Sequence, residues 1–259
     1  MTRLEQLHRL NALLLDDMPS CRRLGEHVQP TPEAQWRLFR SLVNLREPRP
    51  IGREFLDLQD DLLQSLLAEK GITDAAAIPP TTASLCLWQG DITTLRADAI
   101  VNAANSGLTG CYHPLHGCID NAIHTFAGVQ LRLECAALMK RQGHPEPTGR
   151  CQITRGYNLP CRYVLHTVGP VVAERETADD EEQLASCYRS CLELAARHDL
   201  RSLAFCCIST GEFHFPHESA ARIAVQTVSA FVSFHPQIRV IFNVFQDEDY
   251  RIYASLLNP

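Results

Sequence analysis

The feature that most constrains the fold is an alternation of short apolar runs with amphipathic stretches in the last two thirds of the chain. The apolar runs have the length of β-strands and occupy residues 84–89, 98–103, 163–167, 202–208 and 238–245. Apolar residues recur at helical spacing over residues 122–136, 184–195 and 220–231. Apolar strands separated by amphipathic helices are typical of a sheet covered on both faces. The sequence therefore predicts an α/β domain over residues 84–259.

The first 80 residues have a purely helical pattern. A leucine stripe predicts one helix before residue 15, and Thr31 followed by Pro32 is typical of the start of a second. A third is predicted over residues 54–70, ending at Gly71. A proline-rich stretch then indicates a linker. We predict that residues 1–80 form a small helical extension without recognisable chemistry.

Composition excludes several classes of protein. The 259 residues carry a formal net charge of −6, so no global basic field attracts nucleic acid. No stretch approaches the ~20 apolar residues of a membrane span, and the amino terminus lacks the apolar core of a signal peptide. Eleven cysteines, an odd number without an export signal, do not favour a disulfide framework. These features predict a soluble, cytoplasmic protein with neither nucleic acid nor membrane as a partner.

Two loops that follow predicted strands carry side chains suited to a ligand. Asp91 could accept a hydrogen bond from an exocyclic amine such as that of adenine, or could cap the backbone that follows it. Asn102 and Asn105 offer amide donors and acceptors among small residues, although they are also compatible with a simple turn. Both interpretations stay open at each loop.

A third loop, residues 209–213, lies between a predicted strand and a helix that begins near Pro216. Its small residues could direct several backbone N–H groups at a phosphate, next to the positive end of the helix dipole. No lysine follows, so it is not a phosphate loop of the Walker type. The alternative is a strand–helix connector with a capping hydroxyl.

The fourth loop has the most distinctive chemistry. Cys111, His116 and Cys118 offer two thiolates and an imidazole within eight residues, a donor set suited to Zn²⁺. Three protein ligands with a fourth position open are typical of catalytic zinc. His113 could instead be a fourth ligand of a closed structural site, or replace His116. We favour the three-residue set, against the further alternative of buried thiols beside surface histidines.

Together these loops resemble those of a macrodomain, the ADP-ribose-binding α/β module. The motifs that carry the resemblance are Gly90-Asp91-Ile92, the segment 100–105, the segment 118–124 and the segment 208–213. The resemblance implies a three-layer fold with a mixed central sheet. Hydrolytic macrodomains usually have three glycines before the third motif, whereas this chain has Cys-x4-His-x-Cys. That replacement resembles the zinc-dependent bacterial branch, whose members also carry a helical amino-terminal extension.

The resemblance also implies roles for particular residues. The implied ADP-ribose-binding set is Asp91, Ile92, Asn105, Ser209, Thr210, Gly211, Glu212 and Phe213. Within it, Asp91 would bind the adenine amine, Asn105 the distal ribose, and residues 209–213 the diphosphate through backbone amides. Asp120, with Asn105, is the implied catalytic pair, the aspartate positioning or activating water. Phe245 would border the adenine or be a core aromatic.

Members of this branch resemble one another in removing mono-ADP-ribose from acidic side chains of proteins. Some are paired with a sirtuin-type transferase and a lipoyl-carrier protein related to the glycine-cleavage H protein. The resemblance therefore implies a hydrolase with one Zn²⁺ and a mono-ADP-ribosylated protein as its substrate. Two alternatives are a non-catalytic ADP-ribose reader with structural zinc and an O-acetyl-ADP-ribose deacetylase.

Overall fold

The computed structural model describes residues 1–82 and 84–258, so the predicted last residue of the sheet domain, Pro259, lies outside the described part. The helices are α1 (Arg3–Asp17), α2 (Pro32–Leu45), α3 (Arg53–Lys70), α4 (Ile119–Ala127), α5 (Val129–Gln142), α6 (Ala178–Arg197), α7 (His217–Val232) and α8 (Asp247–Leu257). The strands are β1 (Thr73–Asp74), β2 (Leu85–Gln89), β3 (Leu95–Arg96), β4 (Ala99–Ala103), β5 (Cys151–Arg155), β6 (Tyr163–Thr167), β7 (Ser202–Phe205) and β8 (Arg239–Val244). Among the described residues, no helix combines the length and the apolar composition of a membrane span.

Six strands form one mixed sheet in the order β2-β8-β7-β4-β6-β5. Every neighbouring pair is parallel except β5 and β6, which are antiparallel. Strands β1 and β3 form a separate parallel pair. The helices that follow the strands cover the sheet, and the main core lies between these layers. The predicted three-layer α/β arrangement is confirmed.

Several boundaries differ from the sequence prediction. The stripe over residues 122–136 is two helices, because the chain breaks at Gly128 with φ +92°. A Cβ there would lie 2.6 Å from Gln59 Nε2. The edge strand β5 was not predicted, because it is mostly half-buried and not an apolar run. The strand predicted over 202–208 ends at Phe205, so the following loop begins earlier than expected.

The three predicted helices of the extension are present. The side chain of Thr31 accepts a hydrogen bond from Ala34 N at the start of α2, and Gly71 ends α3. Leucines and aromatics of α1, α2 and α3 form a second buried cluster, which Val129 at the start of α5 joins. The extension therefore packs directly onto the sheet domain, while the division between the two domains stays a prediction.

Candidate functional site

The loops singled out in the sequence follow the carboxyl ends of parallel strands. The segment 104–118 leads from β4 to α4, and the segment 206–216 leads from β7 to α7. Because β4 and β7 are parallel neighbours, both loops emerge at the same edge of the sheet. This edge is where ligands bind in open α/β sheets.

Cys111, His116 and Cys118 form what we call the ligand triad. Each contributes one donor atom, and these atoms all lie within 4.8 Å of one another. Cys111 Sγ lies 3.6 Å from His116 Nδ1. A tetrahedral Zn²⁺ with Zn–S of about 2.3 Å and Zn–N of about 2.0 Å separates its donor atoms by about 3.5 Å. The triad therefore fits zinc in both the type and the spacing of its donors.

Local backbone geometry brings the triad together. Gly110 has φ +85°, and a Cβ there would lie 2.7 Å from the His124 ring. Leu115 has φ +59°, a left-handed conformation that bends the chain between the first two ligands. Cys118 is the N-cap of α4, and its Sγ accepts a hydrogen bond from Asn121 N at 3.4 Å. Burial raises the pKa of Cys118 to about 12, and the hydrogen bond from Asn121 N acts in the opposite direction.

The two histidines of the loop are in different environments. His113 is exposed and contributes no atom to the triad, although its ring centroid lies 5.8 Å from that of His116. His116 directs Nδ1 toward Cys111 and places Nε2 3.3 Å from Glu212 Oε1. A carboxylate on the distal nitrogen of a ligating histidine commonly fixes the orientation of the ring. Of the two histidines, His116 is therefore the one whose ring nitrogen lies close to both cysteine sulfurs.

Asp120 is buried next to the triad, with 5% of its surface exposed. Its Oδ1 accepts a hydrogen bond from Asn102 Nδ2 at 2.8 Å, and its Oδ2 accepts one from Asn105 Nδ2 at 3.3 Å. The Asn105 amide also donates to Gly110 O at 3.1 Å. Burial raises the pKa of Asp120 to about 6, although the hydrogen bond from Asn102 acts in the opposite direction. The carboxyl group is therefore held in one orientation by two asparagines.

Sequence reasoning did not place two buried histidines in this network. His124 Nε2 lies 3.5 Å from Asp120 Oδ1, and within the described part of the chain neither of its ring nitrogens has a hydrogen-bond partner. His166 lies 3.2 Å from Asn102 Nδ2 and 2.8 Å from Thr154 Oγ1. Burial lowers the pKa of both imidazoles, that of His166 to about 3, so both are neutral. The available signal was a histidine within the otherwise apolar strand β6.

Asp91 caps the short 3-10 helix Ile92–Thr94 that follows β2. Its Oδ1 accepts hydrogen bonds from Thr93 N at 3.0 Å and Thr93 Oγ1 at 2.6 Å. Its Oδ2 forms an ion pair with Lys70 Nζ at 2.8 Å, and Lys70 also lies 3.6 Å above the ring of Phe126. The capping interpretation is confirmed. The carboxylate is still 37% exposed, so it remains accessible to a ligand as well.

The loop 209–213 contains a run of backbone N–H groups that the fold leaves unused. Within the described residues, the N–H groups of 210–213 donate to no acceptor of the protein. Ser209 has φ +66°, and its buried Oγ has no hydrogen-bond partner among the residues that the structure describes. A Cβ on Gly211 would meet nothing within 4 Å. Successive unpaired N–H groups before a helix are a feature that can bind phosphate.

Phe245 directly follows β8 and is 76% exposed. It is therefore not a core aromatic, and this alternative is wrong. Gly90, at the end of the neighbouring strand β2, donates its N–H to Val244 O at 3.0 Å. The exposed ring and the Asp91 loop therefore occupy adjacent strand ends of the sheet.

Comparisons with known proteins agree with this geometry. Residues 101–224 match the Macro domain family. Over the whole of both chains, the protein is 48% identical to a Protein-ADP-ribose hydrolase of Treponema medium. It is 47% identical to a Protein-ADP-ribose hydrolase of Staphylococcus aureus strain MSSA476, over 87% of this chain and 86% of that one. A crystal structure of a Trypanosoma brucei macrodomain in complex with ADP-ribose has a TM-score of 0.64 and 33% identity, covering 84% of this chain and 94% of that chain.

Proposed function

The chain belongs to the macrodomain family and is a protein-ADP-ribose hydrolase, and from this premise we propose that it uses one Zn²⁺ to remove mono-ADP-ribose from acidic side chains of proteins. The observation that carries the proposal is the ligand triad, which lies two residues before the buried Asp120. Soft donors in a three-residue set leave a coordination position open for substrate or water.

The nucleotide end of the substrate would be held by groups remote from the reacting bond. The unpaired N–H groups of 210–213 suit the diphosphate, and Asp91 with the backbone of Ile92 suits the adenine amine. These contacts are the same in the substrate and the product. They therefore set affinity for ADP-ribose and contribute little to the rate of the chemical step.

The distal ribose would lie where the triad, Asn105 and Asp120 meet. When bound, Zn²⁺ would supply Lewis-acid chemistry at this end of the substrate. Asn105 holds the Asp120 carboxyl through Oδ2 and is placed to contact a ribose hydroxyl. Asp120, also held by Asn102, would orient or deprotonate the attacking water. The rate enhancement therefore depends on residues 102–120 rather than on the adenine pocket.

We propose that the bond cleaved is the ester between an acidic side chain and C1 of the distal ribose. Hydrolysis adds water across this ester, so that free ADP-ribose and the side-chain carboxylate are the products. Proteins modified on glutamate or aspartate should be demodified much faster than proteins modified on arginine. Equal release from both would exclude the ester assignment, and turnover on O-acetyl-ADP-ribose alone would indicate a deacetylase.

The zinc assignment is tested by Cys118→Ala, because loss of one of three ligands removes a stable site. We expect the variant to lose its zinc and its hydrolytic activity while keeping the wild-type affinity for ADP-ribose within a few-fold. Cys21→Ala, which removes another half-buried thiol in the extension, is the matched control. Metal content is measured by mass spectrometry and release by a gel assay. A Cys118→Ala protein with full zinc content and full turnover refutes the assignment.

The modified protein and the compartment are part of the same proposal. We propose a lipoyl-carrier protein related to the glycine-cleavage H protein, modified by a sirtuin-type transferase, as the substrate. Thiolate ligands must stay reduced, so we propose the cytoplasm as the location. Intact-mass spectrometry of a modified carrier protein before and after exposure to the enzyme tests the partner. A carrier that keeps its ADP-ribose while another ester-modified protein is cleaved rules it out.

A further inference from the structure

Helix α2 of the extension contacts the loop that carries the ligand triad. Arg40 Nη2 donates hydrogen bonds to His116 O and to Asn121 Oδ1, each at 2.8 Å. Asn121 in turn donates through Nδ2 to His113 O at 3.0 Å. Arg40 therefore fixes His116 through the carbonyl of that residue. Through Asn121 it also fixes His113, at the start of the same turn.

A second residue of α2 fixes the strained point of this loop. Asn44 Oδ1 accepts a hydrogen bond from Leu115 N at 3.1 Å, and Asn44 Nδ2 donates to Thr125 Oγ1 at 3.1 Å. Leu115 has φ +59°, a conformation that persists only where surrounding contacts enforce it. Because Asn44 is 1% exposed, water does not compete for this bond. Asn44 therefore holds the bend that brings His116 back toward Cys111.

The end of α2 is itself fixed to the sheet domain by Arg132 of α5. Arg132 Nη1 donates to the carbonyls of Val43, Asn44 and Arg46 at 3.0, 2.8 and 2.7 Å. Its Nη2 lies 3.5 Å from Cys111 O. One buried guanidinium thus links the last turn of α2 to the first ligand. The extension is therefore joined to the metal loop at three points, near Cys111, Leu115 and His116.

We propose that Arg40 and Asn44 are positioning residues for the metal loop, so that the extension is part of the metal site. The proposal rests on the proposed zinc function. The loop 111–118 has no helix or strand of its own, and only Cys118 is anchored in a regular element. A loop already held in its binding conformation loses less conformational entropy when it takes up a ligand. Arg40 and Asn44 supply this order from 76 and 71 residues away in sequence.

Hydrogen exchange on chelator-treated protein tests the positioning without metal. Arg40→Met keeps an unbranched apolar stem and removes the donors, and Arg37→Met, on the exposed face of the same helix, is the control. We expect faster exchange of the amides of 113–118 in Arg40→Met and in Asn44→Ala, with α7 unchanged. Arg40 accepts no hydrogen bond from these amides, so faster exchange in its variant reports loop order. Wild-type protection in Arg40→Met overturns the proposal.

Zinc affinity, measured by competition with a chromogenic chelator, gives the second readout. Outer contacts of ligands typically change metal affinity by 10- to 100-fold, so we expect about that loss for Arg40→Met and Asn44→Ala. Arg40→Lys should recover part of it, and Arg37→Met should match the wild type. Affinity for ADP-ribose should stay within a few-fold in all variants. Its parallel loss in Arg40→Met would indicate general unfolding and overturn the positioning role.

The two proposals fail in different arms of this experiment. A wild-type protein that takes up no zinc refutes the proposed function and this inference together. A wild-type protein that loses zinc on Cys118→Ala but binds it unchanged after Arg40→Met keeps the proposed function and overturns the inference alone.

Discussion

Asp91→Asn separates the helix cap that this carboxylate forms from its proposed contact with adenine. Asparagine is as good an N-cap as aspartate, so its Oδ1 keeps the hydrogen bond from Thr93 N. Asp91 Oδ2 is replaced by an NH2 group, which cannot form the ion pair with Lys70. The NH2 group is a hydrogen-bond donor, so it cannot accept a hydrogen bond from the adenine amine. The short helix after β2 should therefore remain intact while the ligand loses its acceptor.

The structure sets the size of both effects. Lys70 and Asp91 are 34% and 37% exposed, so their ion pair is screened by solvent and contributes about 0–1 kcal/mol to the free energy of unfolding. Loss of a hydrogen bond in the adenine pocket should cost about 1–3 kcal/mol of binding free energy. This corresponds to a Kd for ADP-ribose about 5- to 150-fold higher. The binding free energy for ADP-ribose should therefore change more than the free energy of unfolding.

Calorimetric titration with ADP-ribose and urea unfolding measure the two quantities on the same protein. Lys70→Met is the matched control, because it removes the same ion pair and leaves the carboxylate in place. It should show the stability loss of Asp91→Asn with no loss of affinity for ADP-ribose. Unchanged affinity in Asp91→Asn would refute the adenine role, and an equal loss in both variants would assign the effect to the ion pair.

Two other predictions concern the backbone of the metal loop and the pH dependence of stability. Gly110→Ala should lower the free energy of unfolding by about 1–3 kcal/mol and weaken zinc retention, since Gly110 has φ +85° and faces the His124 ring. Gly117→Ala is the control: there is open space around Gly117, so this change should be neutral in urea unfolding. Burial tends to raise the pKa of Asp91, but hydrogen bonds from Lys70 and Thr93 hold it below its usual value. The difference in unfolding free energy between wild type and Asp91→Asn should therefore be constant above about pH 5 and shrink as the pH falls below about 4. A difference that grows on acidification would contradict the lowered pKa of Asp91.

Most of the fold follows from local sequence signals. Thr31 with Pro32 marks the start of α2, and apolar runs mark the central strands, because a buried parallel strand needs apolar side chains on both faces. The edge strand β5 escapes this signal, since it is mostly half-buried and is not an apolar run. The break at Gly128 escapes it too, because the helical stripe continues through a residue whose positive φ and close approach to Gln59 appear only in the fold.

The convergence of the ligand triad was predictable, because it depends on residue type and short spacing. Cys111, His116 and Cys118 stand close in sequence, so their convergence needs only a bent loop, which Gly110 and Leu115 provide. The partners of Asp120 were harder to identify. Asn102 falls within the predicted strand 98–103, but nothing in the sequence indicates that its buried amide donates to Asp120.

The role of the extension could not be predicted from local sequence patterns. Its contacts with the site join residues far apart in the chain: Lys70 with Asp91, Asn44 with Leu115, and Arg40 with His116. No periodicity or motif encodes such pairs, since each arises only once α2 and α3 have packed against α4 and α5. These contacts reach two parts of the site: Lys70 reaches the proposed adenine acceptor, whereas Asn44 and Arg40 both reach the metal loop. A change in the packing of the extension should therefore alter nucleotide affinity and metal affinity separately, according to which helix it displaces.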